Sequence, residues 1–206
     1  MLPSSGKDAD IFACVAYMPQ ETATKAEREK AWAALTESWI NYSTKGAILL
    51  LGDFNARIGA PQGEAEHHLL GPFSAAKERS ENGKLLAALA LAAKAVVLNG
   101  HSQKGSGQPW VTWSRFNEVT ETKAESMLDY VLVSPSLRIP GEKKEFGVDE
   151  TDLDSDHHLT WAKIKCLRKA TRPRSKVVHK KFKLRFIMGN PKGPEAKNAE
   201  YEARLK

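Results

Sequence analysis

Residues 11–17, Ile-Phe-Ala-Cys-Val-Ala-Tyr, form an apolar run closed by Met18-Pro19, and this pattern predicts a buried strand. Thr24 with Glu27 has capping-box spacing and predicts a helix running to about Tyr42, with Trp32, Leu35, Trp39 and Ile40 on one face. Gly46 is its expected stop. Ala47–Leu51 is apolar throughout, as in a strand covered on both faces, and it ends abruptly in Gly52-Asp53-Phe54-Asn55. Residues 56–80 are punctuated by Gly and Pro and read as a long loop. A Leu- and Ala-rich helix is expected from Asn82 to Lys94, then a strand at Ala95–Leu98. Asn99–Gln108 is polar, which places His101, like His67 and His68, in loops. Pro109–Trp113 and Met127–Val133 read as two strands joined by a polar loop, with Trp110 and Trp113 as core residues. Leu159–Lys165 alternates as a half-buried strand should. Beyond Leu167 the chain is basic and contains Pro, with one patterned patch at Lys181–Ile187. Helices alternating with buried strands, plus strand pairs, point to an α/β or α+β sandwich. The expected organisation is a lead at 1–9, one domain at 10–166 and a basic tail at 167–206, partly disordered.

With 206 residues, 41% hydrophobic and 27% charged, the composition suits a globular domain and excludes collagen-like, coiled-coil and wholly disordered chains. Lys94 interrupts the longest apolar stretch, Leu85–Leu98, so no membrane span is expected. Met1–Asp10 has neither a basic region nor an apolar core of the kind a secretory signal requires. Cys14 and Cys166 cannot make a disulfide framework. Together these features predict an intracellular protein, nuclear or cytoplasmic. The net charge of +6 is unevenly spread: residues 163–206 carry 15 Lys and Arg against 3 Glu, so the remainder is net acidic. Such a split suggests a basic arm for a polyanion, with Lys180, Lys181, Lys183 and Arg185 as candidate nucleic-acid contacts.

Four polar clusters fall where apolar strands end. If its strand continues, Asp53 and Asn55 project to the same side and could deprotonate and orient a water molecule. Asp129 lies within Leu128-Asp-Tyr-Val-Leu-Val133, where a carboxylate must be paired, metal-bound or at an edge, because burying it alone is costly. In Ser155-Asp156-His157-His158 the acid suits a divalent cation and the imidazole a phosphate oxygen. The fourth is the Tyr17 hydroxyl, at the end of the first strand.

In this order, Tyr17-Met-Pro, Leu51-Gly-Asp-Phe-Asn-Ala-Arg-Ile-Gly59, Leu128-Asp-Tyr-Val-Leu-Val-Ser134 and Ser155-Asp-His-His158 resemble the endonuclease/exonuclease/phosphatase superfamily. The spacers Asn82-Gly-Lys-Leu-Leu86, Val96-Val-Leu-Asn99 and Thr112-Trp113 resemble its non-LTR (LINE-like) retrotransposon branch, and Thr112-Trp113 is similar to the strand that there pairs with the Leu-Asp-Tyr strand. The resemblance implies an α/β four-layer sandwich of two β-sheets flanked by helices, and a Mg²⁺- or Mn²⁺-dependent phosphodiesterase that nicks DNA. It implies that Asp53 activates water, Asn55 orients water and phosphate, and His157 contacts the scissile phosphate. Asp129 would fix the His157 tautomer, Asp156 would bind metal, and Tyr17 would contact phosphate. A reverse transcriptase module downstream is a further implied partner.

One departure accompanies the resemblance. The family's first half, with its strand Asn and metal-binding Glu, has no match, and Gln20-Glu21 lies on the wrong side of Tyr17. The expectation is therefore the C-terminal part of that fold, N-terminally truncated and inactive as an isolated chain. Two alternatives stand beside it: a non-catalytic remnant that binds nucleic acid through the basic tail, and a phosphatase of the same superfamily.

Overall fold

A computed structural model describes residues 10–74, 76–139, 145–149 and 155–165. The tail at 167–206, with Lys180, Lys181, Lys183 and Arg185, lies outside the described residues, as do the lead and Cys166.

The first apolar run forms β1 (Asp10–Tyr17), and the capping-box helix α1 spans Lys25–Ser43 with both reciprocal Thr24–Glu27 bonds in place. Next comes β2 (Gly46–Asp53), longer at both ends than its apolar segment. Residues 56–80 are not a continuous loop: Glu64–Leu70 forms a short helix, α2, which carries His67 and His68 in its last turn. α3 spans Glu81–Ala93, capped by Ser80, whose hydroxyl accepts from Gly83 N–H, and closed by Lys94 in the left-handed conformation. β3 is only Val96–Val97, because the chain turns at once into a 3₁₀ segment, Leu98–His101, so His101 is not a loop residue.

The expected polar loop between two strands is a β-hairpin, β4 (Trp113–Asn117) and β5 (Thr122–Ser126), followed by β6 (Asp129–Val133). Thr112-Trp113 therefore does not lie on a strand that pairs with β6; Trp113 opens β4, whose partner is β5. Finally β7 (Phe146–Asp149) pairs antiparallel with β8 (Leu159–Ala162), the strand expected from the alternation at Leu159–Lys165.

The main sheet has the order β1-β2-β6-β3, parallel between β1 and β2 and antiparallel elsewhere. One face packs Ile48, Leu50, Tyr130 and Leu132 against Trp32 and Trp39 of α1 and Leu86 and Leu89 of α3. Ile40, expected on the inner face of α1, is instead 54% exposed. The opposite face packs Ala47, Val131 and Val133 against Phe146, Ala162 and Ile164 of the β7–β8 layer. Trp110 joins this core, stacked edge-on against Phe146. The result is a mixed α/β sandwich with helices, a central sheet and a second sheet in three described layers. Among the described residues, cover on the second face stops short of β1, where Val15 is 72% and Ile11 is 38% exposed.

Candidate active site

The register of the main sheet builds a row of polar side chains at one end. Tyr17 is paired with Asp53 across β1 and β2, and Asp53 with Asp129 across β2 and β6. Alternation puts all three on the face shared by Leu51 and Val131, so the apolar surface of the sheet ends in a phenol and two carboxylates. Gly52 makes this possible: it has φ of 144°, and a Cβ there would collide with the Ala16 carbonyl of β1.

The strand ends at Asp53 and does not carry Asn55 onto the same face by alternation. Asn55 adopts a left-handed turn (φ 46°) that folds it back. Its backbone N–H donates to Asp53 Oδ1 (2.8 Å), and its Nδ2 donates to Asp53 Oδ2 (3.2 Å) and to the Met18 carbonyl (2.8 Å). The carboxylate–amide pair expected at positions 53 and 55 therefore exists, made by a turn rather than by the pleat.

His157 meets the row from another element. Its Nδ1 lies 3.0 Å from Asp129 Oδ2, and both side chains are mostly buried. This contact spans 28 residues of sequence and fixes the ring so that Nδ1 carries the proton and Nε2 remains available. Asp156 is placed differently from a free metal ligand: its Oδ2 accepts from Trp113 Nε1 (2.9 Å). Trp113 thus joins the polar cluster and not the core, while Ser114 Oγ lies 3.2 Å from His158 Nε2. Tyr17 is 73% exposed, with its hydroxyl toward solvent at the end of the row.

The electrostatics follow from this crowding. Burial pushes the Asp53 carboxyl above its ordinary value, and the neighbouring Asp129 and Asp156 charges add to that; the Asn55 N–H and His157 oppose it. A carboxyl held above its usual range is a stronger base once ionised.

Carboxylate oxygens are the right donors for magnesium. Among the described residues, however, no three His, Cys, Asp or Glu side chains converge closely enough to hold a metal ion. The donor set fits magnesium in kind and falls short of it in number.

Sequence reasoning missed the polar residues that hold this row from beneath. Asn82 is fully buried and donates to the Pro19 and Asn55 carbonyls while accepting from Trp32 Nε1. Asn99, also fully buried, donates to the Asp129 carbonyl and accepts from Val131 N–H. The only signal in the sequence was their place in the spacers Asn82-Gly-Lys-Leu-Leu86 and Val96-Val-Leu-Asn99, at the border between a polar and an apolar stretch.

No family model matches the chain, and no curated protein does. Among solved structures, it is similar to a 3′ phosphatase from Neisseria, NExo, bound to a product DNA hairpin, at 19% identity and a TM-score of 0.44 over 67% of this chain. The chain spans about half the length of that structure, 53%. Among the described residues no helix is long and apolar enough to cross a membrane.

Proposed function

We propose that residues 10–165 carry a phosphodiester-hydrolysing site that acts on DNA. The observation that supports it is the single row Tyr17–Asp53–Asp129 extended by the 3.0 Å Asp129–His157 hydrogen bond. In this reading Asp53, held by Asn55, takes the proton of a water molecule as it attacks phosphorus. His157, with its Nδ1–H held by Asp129, takes a second proton on Nε2 and in that doubly protonated form donates from Nε2 to the oxygen on which charge develops, and the Tyr17 hydroxyl contacts the phosphate.

The finer parts of the reading are a retrotransposon-type nicking endonuclease, dependent on Mg²⁺ or Mn²⁺ and acting beside a reverse transcriptase module. When bound, the metal would neutralise charge on phosphate oxygens, with Asp156 as its protein ligand. The shortage of converging ligands among the described residues supports slow turnover by this chain alone. The test is a plasmid-nicking and 3′-phosphate-release assay at high protein concentration, with Mg²⁺ or EDTA. Cleavage should be weak, abolished by EDTA, and lost in Asp53→Ala and His157→Ala. Cleavage equal in both variants would sink the reading. Preference for the 3′-phosphate over the plasmid would select the phosphatase alternative.

The charge split favours a second reading: residues 163–206, net +12 by 15 basic against 3 acidic groups, bind DNA without chemistry. It predicts salt-sensitive, sequence-indifferent binding that disappears when the arm is removed.

A further inference from the structure

Thr112 is fully buried, and its hydroxyl oxygen, N–H and carbonyl each hold a partner. Its Oγ1 accepts from the backbone N–H groups of Leu128 (2.9 Å) and Asp129 (3.0 Å). Its own N–H donates to the Ser126 carbonyl (3.0 Å), and its carbonyl accepts from His158 N–H (2.8 Å). The same connection continues one residue on, where Trp113 bridges to His157 and Ser114 N–H donates to the Asp156 carbonyl (2.8 Å). One side chain and its own peptide unit therefore hold both chain segments that meet at the Asp129–His157 hydrogen bond.

The register makes this consequential. Asp129 opens β6 and forms the last rung of the ladder with β2, opposite Asp53, while its N–H bonds outside that ladder, to Thr112. Among the described residues no neighbouring strand receives the Leu128 and Asp129 N–H groups; Thr112 Oγ1 receives both. Asn99 holds the Asp129 carbonyl, and its side-chain hydrogen bonds go to β6 and not to the segment that carries His157.

We propose that Thr112 is a positioning residue for the Asp129–His157 pair, setting the distance between carboxylate and imidazole by tying their two backbones to one buried residue. This rests on the reading of that pair as part of the hydrolytic site. Thr112 touches neither reacting group, so it acts only through where it places them. Its hydroxyl is the essential part, because valine fills the same volume and leaves two part-buried N–H donors without this acceptor.

The test uses the full chain labelled with ¹⁵N, and reads the tautomer of His157 from its ring nitrogens together with backbone amide exchange. In the unaltered protein the Leu128, Asp129 and His158 amides should open with one common protection factor, since they share one anchor. Exchange of the His158 amide independently of Asp129 would overturn the proposal, and this measurement needs no variant. Thr112→Ser should keep the single Nδ1–H tautomer of His157. Thr112→Val, examined where circular dichroism shows it folded, should give a mixture of tautomers, and retention of the single tautomer would overturn the proposal. Asp129→Asn separates the two claims. If it leaves the His157 tautomer unchanged, the pair itself is misread, whatever Thr112 does.

Discussion

Asp53 of β2 and Asp129 of β6 stand directly opposite each other in antiparallel register, two carboxylates on one face of the sheet. Like charges in this position oppose folding, and no ion pair with Lys or Arg compensates either one among the described residues. His157 compensates Asp129, and the Asn55 turn compensates Asp53.

Neutralising Asp53 should therefore stabilise the fold. The raised Asp53 carboxyl means that its ionised form is disfavoured in the native state, so the cost is fully present above its folded value and fades as pH falls below the carboxylate range. Asp53→Asn keeps an acceptor for the Asn55 N–H, and should gain roughly 0.5 kcal/mol at pH 7 and close to nothing at pH 3. Urea denaturation at the two pH values checks this; an equal gain at both would show that charge is not the cause.

Asp129→Asn should act on rate and not on folding. It frees the His157 ring to flip or adopt the other tautomer, and hydrolysis should fall by on the order of a hundredfold with little change in substrate affinity. Single-turnover cleavage across a range of substrate concentrations separates the two parameters.

Much of this arrangement was legible in the sequence, and the limits are physical. Thr24 and Glu27 carry a complete local signal, so the start of α1 was readable to a residue. The strand ends near Tyr17 and Asp53 were marked by the switch from apolar to polar, whereas the strand expected from Met127 starts only at Asp129, because Met127 and Leu128 are apolar and give no sign of the break. α2 was hidden because seven residues with a Gly at each end give too few turns for periodicity to show. The β4–β5 hairpin was hidden because nearly every side chain from Arg115 to Glu125 is exposed, leaving no alternation to read. Asn82, Asn99 and Thr112 stand in the spacers that carry the resemblance, but what they hold was hidden for another reason. They bond to backbone, and a backbone partner leaves no trace in the amino-acid pattern.

A pH dependence should come from His101. Burial first, and then the nearby Arg138 charge, depress its imidazole to about 4, and its Nε2 has no hydrogen-bond partner. The unfolded chain takes up this proton near pH 6.5 and the folded chain resists it, so stability is complete above about 6.5 and declines as pH falls toward 4. His101→Leu should flatten that part of the stability profile, as measured by urea midpoints at pH 7 and pH 4.5. An unchanged slope would assign the acid sensitivity elsewhere.

The segment between Asn55 and α3 should depend on one clamp. Arg79 reaches Glu66 through both terminal nitrogens (2.9 and 2.6 Å), while its Nε donates to the Ile58 carbonyl and its Nη2 also to that of Ala60. The side chains are only 9% and 10% exposed, so removing one partner leaves the other charge unpaired in a dry setting. Arg79→Met should destabilise by about 3 kcal/mol, and adding Glu66→Gln should recover part of it. A double-mutant cycle in urea measures the recovery, and strictly additive losses would argue against the clamp.

The open end of the sheet has a practical consequence. Among the described residues β1 is an eight-residue edge strand; it contains no lysine or proline, its one charge is Asp10 at its start, and its outward side chains include Val15 and Ile11. A surface of this kind is adhesive toward other extended chains, including further copies of itself. The colloidal behaviour of the purified protein should then be governed by concentration more than by temperature. Light scattering on a dilution series should rise with concentration in the unaltered chain and stay flat in Val15→Lys.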